Sequence, residues 1–223
     1  MCGIGGVSSK KISLITQKKI IKMKKYLAHR GPDDEGHYKS NHKIIMIHTR
    51  LAIIDIKGGI QPIENNDYTL TANGEIYNDL EIRKDNQKYK YQTGSDSESI
   101  ISVYDNFGID GFKKLRGMFA FALFDKKKEE LIIGRDPFGI KPIYFCIKNG
   151  TFIYSSEPQS IIKSKLFNPN VDFKKVKELL QLQFCSGRET IFKGIYRLRP
   201  GEILIIKEGN ISESHIFQKT KSL

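Results

Sequence analysis

The second residue of the chain, Cys2, is the side chain with the clearest catalytic potential. A small residue at position 2 allows removal of the initiator Met1, which would leave a cysteine with its own free α-amine. An unperturbed α-amine has a pKa of about 7.7 to 8.0, so near neutral pH it can accept the thiol proton, directly or through water. Nucleophile and base would then belong to one residue. A cysteine at this position can also occur by chance, so the neighbouring residues are needed to distinguish a catalytic cysteine from a chance one.

Three glycines in the predicted strand that follows Cys2 favour the catalytic interpretation over chance. Gly3, Gly5 and Gly6 leave this strand nearly free of side chains, which lowers its stability but lets another backbone or a ligand approach closely. We therefore expect such a close approach beside Cys2.

Other catalytic signatures are absent from the sequence. It contains no HExxH or GxSxG motif, and segment 134–139 (GRDPFG) is followed by Ile140 where a phosphate-binding loop needs a lysine. The remaining cysteines, Cys146 and Cys185, show no metal-ligand spacing, and an odd total of three suits a reducing compartment. No metal site is expected, and Cys2 remains the candidate nucleophile.

Periodicity predicts the elements that must position Cys2 and its neighbours. Helices are predicted at residues 17–27, 97–107, 158–165 and 173–183, and strands at 44–48, 68–72, 118–124, 131–134, 143–145, 151–154 and 202–206. Residues 29–36 are rich in turn formers. Short strands at hairpin spacing, between pairs of helices, favour an antiparallel sheet packed by helices over a doubly wound parallel sheet.

Charge and hydropathy argue against several other classes of protein. Lys and Arg number 37 against 25 Asp and Glu, a net charge of +12, but the lysines are spread over helix faces and turns and no nucleic-acid motif accompanies them. No apolar run approaches the roughly 18 to 20 residues of a membrane span, and the N-terminus lacks a signal-peptide core. We expect a cytoplasmic protein without a nucleic-acid or membrane partner.

Seven motifs, in order along almost the whole chain, resemble the class II glutamine amidotransferases, whose glutaminase domain belongs to the N-terminal nucleophile (Ntn) hydrolases. The motifs are 1–6 (MCGIGG), 29–36 (HRGPDDEG), 50–55 (RLAIID) with 59–62 (GIQP), 73–78 (NGEIYN), 93–96 (TGSD), 117–122 (GMFAFA) and 135–142 (RDPFGIKP). Their forms are most similar to the asparagine-synthetase branch. The resemblance implies an α+β fold of Ntn-hydrolase type, a four-layer αββα sandwich of two antiparallel sheets between helices.

The resemblance implies catalytic roles for three residues. Cys2 would attack the side-chain amide carbon of glutamine, with its α-amine as the proton carrier. The Asn73 side chain and the Gly74 backbone N–H would donate to the negative charge of the tetrahedral intermediate. None of the five histidines would serve as the base. Taken alone, Asn73-Gly74 is more typical of a plain hairpin turn.

The resemblance also implies how glutamine would be bound, with Asn73 and Gly74 among its contacts. Arg50 would bind the α-carboxylate by a planar two-donor contact, and Asp96 with Glu75 would bind the α-ammonium. Leu51 and Ile54 would add backbone contacts beside Arg50. Taken alone, Arg50 or Asp96 is more typical of a solvated surface charge. One cation and two acids would select a free amino acid rather than a peptide residue.

A synthetase partner is the third implication of the resemblance. Asparagine synthetases continue into a second domain whose Ser-Gly-Gly-x-Asp-Ser motif activates the acceptor with ATP, whereas residues 185–188 here read CSGR. We expect a glutamine amidotransferase domain at residues 1–217 and a polar tail or linker at 218–223. No cofactor is expected in this chain, and ATP and Mg²⁺ would belong to a synthetase-like domain or subunit.

Two functions from different classes follow. The first is hydrolysis of L-glutamine to glutamate and ammonia for an ATP-dependent amidation whose acceptor is aspartate, a sugar carboxylate or another acid. The second is a non-catalytic module that retains glutamine binding to regulate or scaffold a synthetase partner. The complete set of predicted site residues favours the enzyme, because a degraded site would have lost at least one of them.

Overall fold

The computed structural model describes residues 1–40 and 42–216, which form twelve β-strands and five α-helices. The strands are β1 (Gly3–Ser9), β2 (Asp34–Ser40), β3 (Ile44–Arg50), β4 (Ile63–Glu64), β5 (Tyr68–Ile76), β6 (Gly117–Asp125), β7 (Glu130–Arg135), β8 (Tyr144–Lys148), β9 (Thr151–Ser155), β10 (Tyr196–Arg197), β11 (Glu202–Lys207) and β12 (Asn210–Ile216). The helices are α1 (Leu14–Lys25), α2 (Asp79–Asp85), α3 (Glu98–Phe107), α4 (Pro158–Lys163) and α5 (Phe173–Leu182). The predicted tail at 218–223 lies outside the described residues.

The strands form two six-stranded sheets in which every neighbouring pair is antiparallel. The first sheet has the order β10-β8-β9-β1-β3-β2, and the second has the order β12-β11-β7-β6-β5-β4. Helices α1 and α4 pack on the outer face of the first sheet, and α3 packs on the outer face of the second. The expected four-layer αββα arrangement is therefore confirmed.

Strand β3 shows why the central strands have continuous runs of apolar residues in the sequence. Met46 packs in the layer between the two sheets, whereas the neighbouring Ile45 and Ile47 pack against α1 on the other face. Successive side chains of a strand point to opposite faces, so a strand covered on both sides needs apolar residues at every position. The buried run carries the chain to Arg50, the last residue of β3.

The three glycines of β1 make room for the protein itself and not for a ligand. A Cβ atom on Gly3 would lie 2.6 Å from Thr49 Oγ1, and a Cβ atom on Gly5 would lie 2.9 Å from the Sδ atom of Met23 in α1. On Gly6 it would meet the buried ring of Tyr154. None of the three glycines lines the pocket beside Cys2. The expected close approach exists, but it serves the packing of helix α1 and strand β9 on β1.

Five elements were not predicted from the sequence: helix α2 and the edge strands β2, β4, β10 and β12. Strands β4 and β10 have two residues each, too few for a pattern. Strands β2 and β12 have alternating or exposed side chains and lie at the edges of their sheets, where the pairing depends on backbone hydrogen bonds. Residues 29–36 are therefore only partly a turn, because β2 begins at Asp34. Helix α2 has seven residues, too few for a clear apolar period. In the described part of the chain, no helix is both long and apolar enough to cross a membrane.

Candidate active site

A pocket of about 200 Å³ lies where β1 begins and β3 ends, and it brings together all eight predicted site residues. They are Cys2, Arg50, Leu51, Ile54, Asn73, Gly74, Glu75 and Asp96. They come from both sheets and from the loops that follow β3 and precede α3. The roles of these residues stay predictions, but their meeting in one pocket is a property of the fold.

Cys2 is held at the pocket by its backbone and its sulfur. The Leu51 N–H points at the Cys2 Sγ atom at 3.4 Å, and Arg30 Nε donates to the Cys2 carbonyl oxygen at 3.0 Å. Arg30 in turn pairs with Glu157 at 2.9 Å, and His29 contacts the same carboxylate. Burial opposes ionisation of Glu157, but the hydrogen bonds from Arg30 and His29 hold its pKa below the usual value. These contacts fix the N-terminal end of β1.

The base for Cys2 depends on what happens to Met1. With Met1 in place, the Cys2 nitrogen is a peptide amide, and Met1 itself lines the pocket. No histidine lines the pocket within the described residues. His48, two residues before Arg50, is buried between the sheets, and burial lowers its pKa to about 4. A histidine base is therefore not available in this pocket, and the predicted base, the α-amine of Cys2, would be free only after removal of Met1.

Asn73 and Gly74 lie inside strand β5, so the hairpin-turn alternative is wrong. They pair with Ala120 and Phe119 of β6. Asn73 is 1% exposed, and its side-chain Nδ2 atom has no hydrogen-bond partner among the described residues. A buried donor without a partner costs about 1 to 3 kcal/mol, so a ligand oxygen in the pocket would relieve that cost.

Gly74 lets the backbone of β5 run close to its neighbour strand at the pocket. Its φ angle is +155°, and a Cβ atom there would collide with the Met118 carbonyl oxygen of β6. Any other residue would have to move the strand or adopt a strained backbone. Glycine at this position is therefore required by the packing of β5 on β6.

Arg50 is a buried cation without a carboxylate partner among the described residues. Its side chain lies in the pocket wall, and the residue is 5% exposed. Its Nη1 atom donates to the Ile56 carbonyl at 3.1 Å, and Nη2 donates to the carbonyls of Asp55 at 2.7 Å and Ile54 at 3.3 Å. The solvated-surface alternative is wrong, because loop carbonyls hold this guanidinium inside the protein. A buried charge of this kind favours an anionic ligand.

Asp96 is the matching buried anion across the pocket. It is 7% exposed, and its Oδ2 atom accepts from the Ile76 N–H at 2.6 Å. Burial raises the pKa of Asp96 above the usual carboxyl range, and the nearby charges of Asp79 and Glu75 act in the same direction. No Lys, Arg or His within the described ranges pairs with it. The environment of Asp96 therefore favours a cationic ligand.

Two residues that the sequence did not single out position the loop that carries Asp96. Glu98, fully buried in the first turn of α3, accepts from the backbone N–H groups of Gln92 and Thr93, both at 2.8 Å. Arg83 of α2 donates to the carbonyls of Ser95 at 2.8 Å and Thr93 at 3.2 Å. Because α2 was not predicted, its arginine gave no functional signal in the sequence.

The pocket wall also contains residues outside the predicted set. They are Met1, Ile53, Gly59, Gln61, Ser95, Ser97, Met118 and Lys141. Lys141 belongs to motif 135–142, which the structure folds into a turn around Asp136, whose carboxylate accepts from the N–H groups of Phe138, Ile140 and Lys141. Most of the additional residues lie inside or beside the seven motifs. Their place in these motifs was the one feature of the sequence that could have predicted them as pocket residues.

Comparison with known proteins gives a consistent result. A family model described as a glutamine amidotransferase domain matches residues 1–217. Asparagine synthetase [glutamine-hydrolyzing] 1 of Bacillus subtilis is 33% identical over 98% of this chain and 35% of its own length. Asparagine synthetase B of Escherichia coli is 40% identical over 73% of this chain and 30% of its own length. The chain thus spans about a third of the length of these two relatives.

A solved structure shares the fold. The glutamine phosphoribosylpyrophosphate amidotransferase of B. subtilis, solved with ADP and GMP, superposes with a TM-score of 0.67 over 97% of this chain and 49% of that one. Sequence identity is 20%, so this likeness concerns the fold alone. It confirms the expected Ntn-hydrolase type of sandwich.

Proposed function

Because the chain belongs to the glutamine amidotransferase domain family and is therefore an enzyme, we propose that it hydrolyses free L-glutamine to glutamate and ammonia through Cys2. The relatives confirm the asparagine-synthetase resemblance of the seven motifs. The observation that carries the proposal is one pocket that contains a cysteine, a buried cation and a buried anion, where neither charge has an ion-pair partner among the described residues. Arg50 and Asp96 are complementary in charge to the α-carboxylate and the α-ammonium of a free amino acid. Cys2 would be the nucleophile for the side-chain amide of glutamine.

The reaction begins with proton transfer from the Cys2 thiol to its own α-amine. The thiolate then attacks the side-chain amide carbon of glutamine, and the carbonyl oxygen becomes negatively charged. The Asn73 amide and the Gly74 N–H donate to this oxygen, so the Asn73 Nδ2 atom, which has no partner among the described residues, gains one. Donors that are fixed in place before the reaction stabilise the developing charge without rearrangement.

Collapse of the tetrahedral intermediate breaks the carbon–nitrogen bond. The α-ammonium of Cys2 returns its proton to the leaving nitrogen, which departs as ammonia and leaves a thioester between Cys2 and the glutamyl group. A water molecule then attacks the thioester with the α-amine as the base. The products are glutamate and the free thiol, so atoms and protons balance over the cycle.

We further propose that the ammonia is consumed by an ATP-dependent amidation in a synthetase-like domain or subunit, with aspartate or another acid as acceptor. The names of the B. subtilis and E. coli relatives describe asparagine synthesis with glutamine hydrolysis, and the regions matched by this chain cover 35% and 30% of their lengths. Exposed apolar residues on two loops of the pocket wall support a docking partner at its mouth. These residues are Ile53, Ile56, Ile60, Phe138 and Ile140.

The proposed function is tested with glutamine derivatives that lack one charge. L-Glutamine should release glutamate, whereas N-acetylglutamine, which has no α-ammonium, should be turned over at least about ten-fold less efficiently, by kcat/KM. Glutamine α-amide, which has no α-carboxylate, should behave likewise because it leaves Arg50 unpaired. Equal kcat/KM for the three compounds would contradict binding of a free amino acid by Arg50 and Asp96.

The raised pKa of Asp96 predicts how glutamine binding depends on pH. Only the ionised carboxylate pairs with an α-ammonium, and a raised pKa means that Asp96 takes up a proton at a higher pH than an ordinary carboxyl. The KM for glutamine should therefore rise as the pH falls, beginning above the usual carboxyl range. Steady-state kinetics across the acid range measure this. The Asp96→Asn variant should have a high KM that no longer changes there, and a pH-independent KM in the parent would refute the prediction.

A further inference from the structure

We propose that Asp55 is a positioning residue that ties loop 51–59, which holds Arg50, to loop 93–96, which carries Asp96. The inference rests on the proposed function, since it concerns how the two charged ends of glutamine are recognised. Asp55 does not line the pocket and was not among the predicted site residues. Its carboxylate and its carbonyl group nevertheless contact both loops.

The Asp55 carboxylate bridges two segments that are distant in sequence. Its Oδ2 atom accepts from the backbone N–H of Gly94 at 2.8 Å, across 39 residues of chain. Its Oδ1 atom accepts from the N–H of Gly58 at 3.0 Å, within its own loop. Hydrogen bonds to an ionised acceptor are stronger than those between neutral groups. One side chain thus closes loop 51–59 and fastens it to the residue two positions before Asp96.

The backbone of Asp55 completes the connection to Arg50. Its carbonyl oxygen accepts from Arg50 Nη2 at 2.7 Å and from the Gly59 N–H at 2.8 Å. The φ angle of Asp55 is +48°, in the left-handed region that residues other than glycine seldom occupy. Such a conformation persists where the surrounding contacts hold it, and strained residues cluster at functional sites.

Two glycines lie where the Asp55 carboxylate needs space. A Cβ atom on Gly58 would lie 2.7 Å from the Asp55 Oδ2 atom, and a Cβ atom on Gly94 would lie 3.3 Å from the same oxygen. The first contact is closer than a real side chain permits, and the second is tight. Gly58 therefore lets the carboxylate reach the backbone of its own loop.

The tie sets the distance between the two recognition groups. Arg50 ends a strand of the first sheet, whereas Asp96 precedes a helix on the second sheet. In the described ranges, the Gly94–Asp55 bond is the one hydrogen bond that joins the loops of these two residues. Asn73 is held by strand pairing, and the Cys2 carbonyl oxygen is held by Arg30. The Cys2 Sγ atom contacts Leu51 of the same loop, but Leu51 directly follows the paired strand β3. Loss of Asp55 should therefore affect glutamine binding more than the chemical step.

Asp55→Ala is expected to raise the KM for glutamine by about ten- to a hundred-fold, with kcat within about three-fold of the parent. Asp55→Asn keeps one acceptor oxygen and tolerates the left-handed conformation, so its KM should lie between the two. The matched control is Asp172→Ala. Asp172 also accepts from two backbone N–H groups, those of Lys174 and Lys175, but it caps α5 away from the pocket. Its KM should equal that of the parent.

The Asp55→Gly variant distinguishes the loss of the carboxylate tie from a change in backbone strain at position 55. Glycine adopts the positive φ freely but has no carboxylate, so KM should rise as much as in Asp55→Ala. Hydrogen exchange of the Gly94 amide should accelerate in both variants, and this readout needs no glutamine. An unchanged KM in Asp55→Ala, or a rise in the alanine variant alone, would overturn the inference. A parent without glutaminase activity would instead refute the proposed function, and Gly94 exchange would still decide whether the tie exists.

Discussion

Replacing Cys2 with alanine is expected to abolish glutamine hydrolysis while leaving the fold unchanged. The substitution removes the attacking atom, and the loss of a nucleophile typically lowers kcat by on the order of 10⁴-fold or more. Cys2 lies before the first strand, and among the described residues its Sγ atom forms hydrogen bonds with the backbone of Leu51 alone. The contacts to the Cys2 carbonyl oxygen do not depend on the side chain. Glutamate release and the thermal unfolding midpoint measure the two parts of this prediction.

The other cysteines provide the controls. Cys146 is buried in a core cluster, and burial raises the pKa of its thiol to about 12, so it should be inert. Cys185 lies beside a different cavity, and Cys185→Ala should keep parental activity.

Cys2→Ser should be very slow, because an alkoxide is much harder to form than a thiolate. Equal glutamate release by Cys2→Ala and the parent would refute the nucleophile assignment. A parent that binds glutamine without turnover would favour the regulatory module.

The second large effect is expected for Asn73→Ala, which should lower kcat by about a hundred- to a thousand-fold with a smaller change in KM. Removal of one oxyanion donor typically raises the barrier by about 2.7 to 4 kcal/mol. The Asn73 Nδ2 atom makes no hydrogen bond within the described part of the protein, so its removal breaks no hydrogen bond there. The unfolding midpoint should therefore fall little, and steady-state kinetics should show the loss in kcat.

Thr71→Val is the matched control for Asn73→Ala. Thr71 lies two residues earlier on β5, hence on the same face of the strand, and its Oγ1 atom is likewise buried. It does not line the pocket. The variant removes a buried polar atom next to the site and should keep the parental kcat. A similar loss in both variants would assign the effect of Asn73→Ala to packing rather than to the oxyanion.

The buried strands of this fold are well predicted from the sequence, and the edge strands are not. Strand β6 (Gly117–Asp125) is only one residue longer at each end than the predicted 118–124. The prediction is accurate here because both faces of the strand pack in hydrophobic cores, which makes its sequence continuously apolar. Strand β12 is exposed along most of its length and has no hydrophobic pattern to read. Helix α1 begins at Leu14, three residues before the prediction, since Leu14 and Ile15 are exposed and do not follow the buried stripe.

The site was predictable where motifs name its residues, and unpredictable where distant segments meet. The resemblance placed Arg50 and Asp96 in one site, and the structure brings them to one pocket. The contacts of Asp55 with Gly94 and of Arg83 with Ser95 depend on how the loops fold back on the sheets. Such contacts leave no periodicity or spacing in the sequence, so only the structure shows them.

The most direct test of the central claim is covalent labelling of the chain by a glutamine analogue that carries a diazoketone in place of the side-chain amide. The thiol that attacks glutamine should be alkylated by this group, and mass spectrometry of the peptides identifies it. We predict one label per chain, on Cys2 of protein that has lost Met1, with activity lost in proportion and with protection by glutamine. Labelling of Cys146 or Cys185 with the same loss of activity, or full turnover by protein that retains Met1, would contradict the account.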